Sequence, residues 1–421
     1  MITPTACKKN TDCTWLRQVS ICLGVALLLP SISARSSWYG PEPFRRERIE
    51  GRDFDYGTEG FLDRFSYNPL PVLQPALRAP RDGVIGIGGS TKSNELYVRE
   101  QVQLSLPTDN SLYAGYRFLR FEDFDGHYDE QLLGIGTHDS TWSLVFWGDV
   151  EGAKSETDMQ LELQLHDQEN NQLRLILAAP DAIFNKKTDS SDEYLDQPYT
   201  GYMAGQWALT PRQMLYGFLN WNNPTRFFSD EIDALVEDRQ LSAGVGTLLT
   251  QQHWILGLEM EGLHGERERN GMSATDPVNQ TLHRRFHQFT LEARTRRDWQ
   301  HQSWFGVRHL AFDEDDEQPY NAEKWQHLQR QETYLYAGHQ WPMSDSVTFA
   351  PTLIAGYAEI DELHPLQPEK NESESTVLAK LVPSFVFALR KDNSATITAS
   401  PTLYLHRAAF GGGMVQLEIP L

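Results

Sequence analysis

Residues 158–166 read DMQLELQLH. Met159, Leu161, Leu163 and Leu165 occupy every second position, with Asp158, Gln160, Glu162, Gln164 and His166 between them. Successive side chains of a β-strand point to opposite faces, so a period of two gives one apolar face and one polar face. Whether that apolar face meets a protein core or a lipid bilayer decides the architecture of the whole chain.

The chain has 421 residues and a formal net charge of -21. An acidic balance argues against nucleic acid as a partner, because phosphate contacts need a basic patch. All three cysteines, Cys7, Cys13 and Cys22, fall in the first 22 residues. Everything downstream lacks a thiol, and with it disulfides, zinc knuckles and a cysteine nucleophile.

The N-terminus carries Lys8, Lys9 and Arg17, then the apolar run VSICLGVALLL at 19–29, then Pro30 and the small residues SISA. This is the pattern of a secretory signal peptide over 1–34, cleaved near Ala34, and it is shorter than the ~20 apolar residues of a membrane-spanning helix. Losing Lys8, Lys9, Arg17 and Asp12 takes the net charge from -21 to -23. Residues 35–83 differ again. PFRRERIEGR is charged and YNPLPVLQPALRAP holds Pro69, Pro71, Pro75 and Pro80, which predicts an irregular segment.

From Val84 to Leu421 alternation recurs in about 18 segments. LYVREQVQLSL sets Leu96, Val98, Val102, Leu104 and Leu106 against Tyr97, Arg99, Gln101 and Gln103. HQFTLEARTR sets Phe289, Leu291 and Ala293 against Gln288, Thr290, Glu292 and Arg294. The segments include 171–178, 252–264, 284–298, 300–312 and 329–340, and the last is 409–420. ETYLYAGHQW alternates poorly, and STVLAKLVPSFVFAL is apolar on both faces. Short turns such as HDS, TPR and PMSD alternate with long polar loops near 179–196, 223–235, 265–283, 313–328 and 361–373.

A soluble β-sandwich also alternates. Three features favour lipid. The segments run ~9 to 14 residues, against ~5 to 6 for soluble strands. Charge occurs deep within them, at Arg99, Arg117, Glu162, Arg174, Glu292 and Arg294. The apolar faces end in Trp142, Trp207, Trp221, Trp254, Trp341 and Tyr357, as aromatic girdles at two membrane interfaces require. Lipid tolerates no open sheet edge, so the expected fold is an all-β, closed antiparallel transmembrane β-barrel of about 18 strands (16–18) over 84–421.

On these residues, 84–421 resembles a porin-type Gram-negative outer-membrane β-barrel, in architecture and without a subfamily motif. The C-terminal VQLEIPL is similar to the assembly signal of such barrels, although Leu421 stands where that signal usually has Phe or Trp. The resemblance implies the cell outer membrane as location. It implies outer-membrane lipid, lipopolysaccharide and the barrel assembly machinery as partners, and a periplasmic position for 35–83 unless that segment folds back as a plug.

The lumen-lining candidates are Arg99, Arg117, Glu162, Arg174, Glu292 and Arg294, with Tyr97, Tyr202 and Tyr216 (and Tyr404) as rings on which sugars could stack. Arg45, Arg46, Arg48 and Arg52 are the candidates for plug or partner contact. His283 and His287 in HRRFH stand ~13 Å apart on a strand, too far to share a metal. FDEDDEQ at 312–318 reads as a solvated loop, and Gly411–Gly413 as a hairpin turn. No metal, cofactor or catalytic set is expected, and no enzyme activity. The expected function is a channel for polar solutes, with a mild cation preference if the acidic excess lies along the pore. The alternatives are an export conduit for a polymer such as an exopolysaccharide, working with a periplasmic partner through 35–83, and a non-conducting surface barrel serving as adhesin or embedded enzyme.

Overall fold

The computed structural model describes residues 84–420 apart from 93–94, 108–110, 123–126, 150–155, 168–170, 185–191, 197–198, 230–233, 272–278, 296–301, 319–324, 390–395 and 407. The expected signal peptide, the irregular segment 35–83 and the four leader arginines lie outside these residues.

The elements are β1 (Val84–Lys92), β2 (Glu95–Pro107), β3 (Leu112–Glu122), β4 (His127–His138), β5 (Trp142–Asp149), β6 (Glu156–His166) and β7 (Gln172–Phe184). There follow β8 (Asp192–Asp196), β9 (Thr200–Thr210), β10 (Gln213–Asn222), β11 (Thr225–Ser229), β12 (Ala234–Thr250), β13 (Trp254–Gly271) and β14 (Asn279–Thr295). The last are β15 (Ser303–Glu317), β16 (Gln326–His339), β17 (Trp341–Ser344), β18 (Val347–Leu363), β19 (Glu372–Ala388), β20 (Thr396–Tyr404) and β21 (Ala409–Pro420). Among the described residues the helical content is one 3-10 turn, Pro368–Lys370.

Every pairing between the described strands is antiparallel. β1 pairs with β2 on one side and with β21 on the other, with Ile87 opposite Glu100 and Leu417. Eighteen of the strands are linked one to the next through these antiparallel pairings. β8, β11 and β17 are additions: β8 pairs with β11, β11 with β12, and β17 with the start of β18. Val84 and Pro420 face each other at the end of the sheet that carries the tight turns, such as 211–212 and 345–346.

The question set by DMQLELQLH is answered by which face is covered. Gln160, Glu162 and Gln164 are buried, while Leu161 is exposed. The inversion holds around the sheet. Leu133, Ile135, Phe146, Leu177, Leu258, Leu291, Phe305, Leu335, Leu353 and Val377 are exposed, and Arg174, Glu292, Arg308, Arg330, Glu332 and Lys380 are buried. A water-soluble protein would expose so many large apolar side chains only at great cost, at ~25 cal/mol per Å² of apolar surface. With lipid as the outer solvent the pattern is the expected one.

Aromatics mark the tight-turn edge of the outer face. Trp254 meets Phe305 edge-on at 5.8 Å, Trp341 stacks on Phe349 at 5.9 Å, and Phe349 meets Phe385 at 4.9 Å. Such amphipathic rings sit at a headgroup boundary.

Four expectations need correction. The polar stretches near 265–283 and 313–328 are largely strand: β13 runs to Gly271, β14 starts at Asn279 and β15 continues through the acidic run to Glu317. Both faces of these extensions are polar, so hydrogen bonding continues where hydrophobic alternation has stopped. Likewise β12 begins at Ala234, β18 ends at Leu363, and 179–196 holds the end of β7 and all of β8. Gly411–Gly413 lie within β21, and the turn before it is 405–408. Finally, the inner face is not uniformly polar, as the wall described next shows.

Candidate functional site

The candidate site is the inner face of the sheet. On β5, β6 and β7 three donors converge on one carboxylate. The Glu162 Oε1 accepts from Arg174 Nε at 2.7 Å and Gln164 Nε2 at 2.6 Å, and its Oε2 accepts from Trp147 Nε1 at 2.9 Å. A buried charge is tolerated only when it is paired and hydrogen-bonded, and here it is both. The Trp147 ring is seated by glycine: a Cβ on Gly134 would stand 2.5 Å from it. Tyr113 meets the same ring edge-on at 6.0 Å.

Across β10, β13, β14, β15 and β16, carboxylates, cations and phenols follow one another around the wall. The Tyr216 hydroxyl donates to Glu259 at 2.8 Å, and the Tyr336 hydroxyl donates to Glu292 at 2.6 Å. Arg294 lies 3.7 Å from Glu292. Arg308 donates to Thr290 at 3.2 Å and to the Tyr334 hydroxyl at 3.4 Å. Arg330 pairs with Glu332, and Arg284 with Glu314. Lys380 stands 4.7 Å above the Tyr404 ring, a cation–π contact.

The sequence-derived candidates divide as follows. Glu162 and Arg174 form an ion pair, as do Glu292 and Arg294. Tyr202 is buried in a cluster with Ile176 and Ala204, and Tyr216 bonds to Glu259. Tyr97, Arg99 and Arg117 occur on β2 and β3, in register with Ser90, Phe121 and Leu132, and their side chains lie outside the description. These ion pairs join neighbours on the same wall, two residues apart or on adjacent strands.

Trp147, Arg308, Arg330, Glu332 and Lys380 were missed. WSLVFWGD and STVLAKLVPSFVFA are apolar on both faces, which hides the parity of Trp147 and Lys380, while Arg330 and Glu332 fall in QRQE, which is polar on both faces. The second surprise is an apolar inner patch. Phe286, Leu310, Phe312, Ile354, Leu378 and Val382 are buried together, with Trp304, Tyr334 and Tyr336.

This face carries both signs of charge. Glu162, Glu259, Glu261, Glu292, Glu314, Asp316 and Glu332 share it with Arg174, Arg267, Arg284, Arg294, Arg308, Arg330 and Lys380, and Arg269, Glu362, Glu372 and Glu374 continue it in register toward the end of the sheet away from the tight turns. Glu266, Glu268, Asp313, Asp315 and Glu317 alternate with them in the extensions of β13 and β15, on the outer face. Among the described residues no group of three or more His, Cys, Asp or Glu is placed to hold a metal.

No protein-family model matches the chain, and no curated protein does. Several solved structures resemble it in outline. Pseudomonas aeruginosa OprD is 10% identical, with a TM-score of 0.43 over 81% of this chain and 94% of that one. A bacterial polysaccharide outer membrane secretin is 9% identical, with a TM-score of 0.39 over 82% and 100%. Vibrio cholerae OmpT in its trimer form is 8% identical, with a TM-score of 0.39 over 81% and 98%. Independently of these likenesses, the described strands form one antiparallel sheet whose covered face holds the charged side chains and whose uncovered face is apolar.

Proposed function

We propose that the chain is a closed, membrane-spanning outer-membrane channel for polar solutes. The observation that carries this reading is the concentration of paired charge on the covered face, with the uncovered face left to apolar side chains. Channel selectivity comes from charged side chains lining the passage. Because both signs of charge line the described wall, the wall sets the selectivity and the net charge of the chain does not. The cation preference expected from composition is then mild, with hydrogen bonding and stacking choosing the solute.

The test is conductance of the refolded chain in a planar bilayer. Discrete steps, with a reversal potential near zero in a salt gradient, support the reading. A silent but folded, heat-modifiable protein counts against an open channel.

A second reading, an export conduit for a polymer such as an exopolysaccharide, is favoured by the inward rings of Tyr113, Trp147, Tyr202, Trp304, Tyr334 and Tyr404. Stacked aromatic faces suit sugar rings. Secreted polymer lost on deletion of the gene, with small-solute uptake unchanged, would select this reading.

A further inference from the structure

The apolar outer face of β13–β16 ends differently at its two borders. At the tight-turn border it ends in aromatic rings, with Trp254 against Phe305 and Trp341 on Phe349. At the far border it ends in cations and amides. On the outer face of β13, Met260 is followed by Gly262 and His264; on β14, Phe289 is followed by His287 and Arg285; on β16, Leu335 is followed by Thr333 and Gln331. His264, Arg285, His287 and Gln331 are all exposed.

His264 stands directly across from Arg285, and His287 is the next residue but one on the same strand. Paired strands lie ~4.8 Å apart, and alternate residues of one strand ~6.7 Å apart, so one small anion is within reach of all three side chains. Among the described residues no hydrogen bond or ion pair engages any of the three. The carboxylate in register with Arg285 on β15 is Asp313, and it is turned to the other side, accepting from Gln329 at 3.3 Å and lying 3.6 Å from His327. Glu266 is likewise taken, by Arg239 at 3.2 Å. A solvated arginine needs no partner on an ordinary surface. This one stands at a particular height: His264, opposite it, is ten residues along β13 from Trp254. About 9 to 11 residues cross a bilayer, which puts the cluster at the headgroups.

We infer that His264, Arg285 and His287 hold a phosphate of a lipopolysaccharide headgroup. The guanidinium offers paired N–H donors to phosphate oxygens, and each imidazole offers one more. Gln331 lies in the row of His287, two strands away, within reach of the attached sugar. The inference rests on the membrane-spanning reading above. In such a barrel the tight turns face the periplasm, so the far border lies in the outer leaflet, where this lipid resides.

The test uses the full chain refolded into phosphatidylcholine vesicles that contain lipopolysaccharide. Insertion is read from heat-modifiable gel mobility, and bound lipid from native mass spectrometry after extraction in mild detergent. The unmodified chain is expected to retain lipopolysaccharide. The triple variant His264→Ser, Arg285→Ser, His287→Ser is expected to retain about tenfold less at equal lipid concentration. Arg285→Lys alone should keep part of the binding, and Arg239→Ser, outside the cluster, all of it. Lipopolysaccharide stripped of its phosphates should bind the unmodified chain as poorly as the intact lipid binds the triple variant. Equal retention by the unmodified chain and the inserted triple variant overturns the inference and leaves the membrane-spanning reading standing. Undiminished binding of the dephosphorylated lipid does the same. A chain that fails to insert into the vesicles overturns both.

Discussion

The β3–β9 side and the β13–β19 side of the ring solve the same problem differently. On the first, inward polarity is concentrated in one knot, with Trp147, Gln164 and Arg174 all donating to Glu162. On the second, cations and carboxylates are spaced among Phe286, Leu310, Phe312, Ile354 and Leu378. The strands differ too. β3 and β5 have 11 and 8 residues, whereas β13 and β14 have 18 and 17. About 9 to 11 residues cross a bilayer, so the second side continues past it as a sheet with polar residues on both faces. The difference teaches that inward polarity and membrane height are separate variables: a short wall can be densely hydrogen-bonded, and a tall one can carry an apolar interior.

The comparison breaks most visibly if Glu162 is removed. Glu162→Ala strands the buried Arg174 guanidinium and the Trp147 N–H, and is expected to cost about 3–5 kcal/mol in reversible unfolding from lipid vesicles. An effect under 1 kcal/mol would mean that the knot is not what holds the shorter side. The next effect sharpens the other side. Leu335→Arg, on the outer face of β16, is expected to cost about 2–4 kcal/mol in vesicles. On the same face of the same strand, Gln331→Arg should change stability by no more than ~0.5 kcal/mol, because it sits beyond the apolar band. Equal costs would erase the boundary between band and extension.

The smallest effect lies in a turn of the shorter side. The Thr141 backbone N–H donates to the Asp139 carboxylate at 2.7 Å and holds its pKa below the ordinary aspartate value of 3.8. A carboxylate whose pKa is lowered by folding stabilises the fold above its unfolded pKa, and that contribution disappears as pH falls through the folded value. Asp139→Ala should therefore show a slightly lower unfolding midpoint at neutral pH, with the two proteins converging in strong acid. A difference that grew in acid would reverse the assignment.

What the sequence made legible follows from where alternation survives. β6 contains the alternating 158–166 and β21 occupies the expected 409–420 because one face is oily and the other polar along most of their length. Legibility fails in two places for opposite reasons. In GERERNG and DEDDE both faces are wet, so strands continue unseen. In STVLAKLVPSFVFA both faces are apolar, so Lys380 is found by register alone, opposite Ile354 and Tyr404. Glu162 and Arg174 were legible as inward residues, and their bond was not, because parity gives a direction and says nothing of partners on the next strand.

The claim on which everything rests is that the outer face of these strands touches lipid. Spin labels placed singly at residues 331–337 of β16, in a chain whose Cys7, Cys13 and Cys22 are replaced by serine, would test it by collision with oxygen and with a water-soluble nickel complex. The account predicts high oxygen access at 335 and 337, low oxygen access at 334 and 336, and nickel access at 331. Nickel access at 335, or accessibility without a period of two, would contradict it.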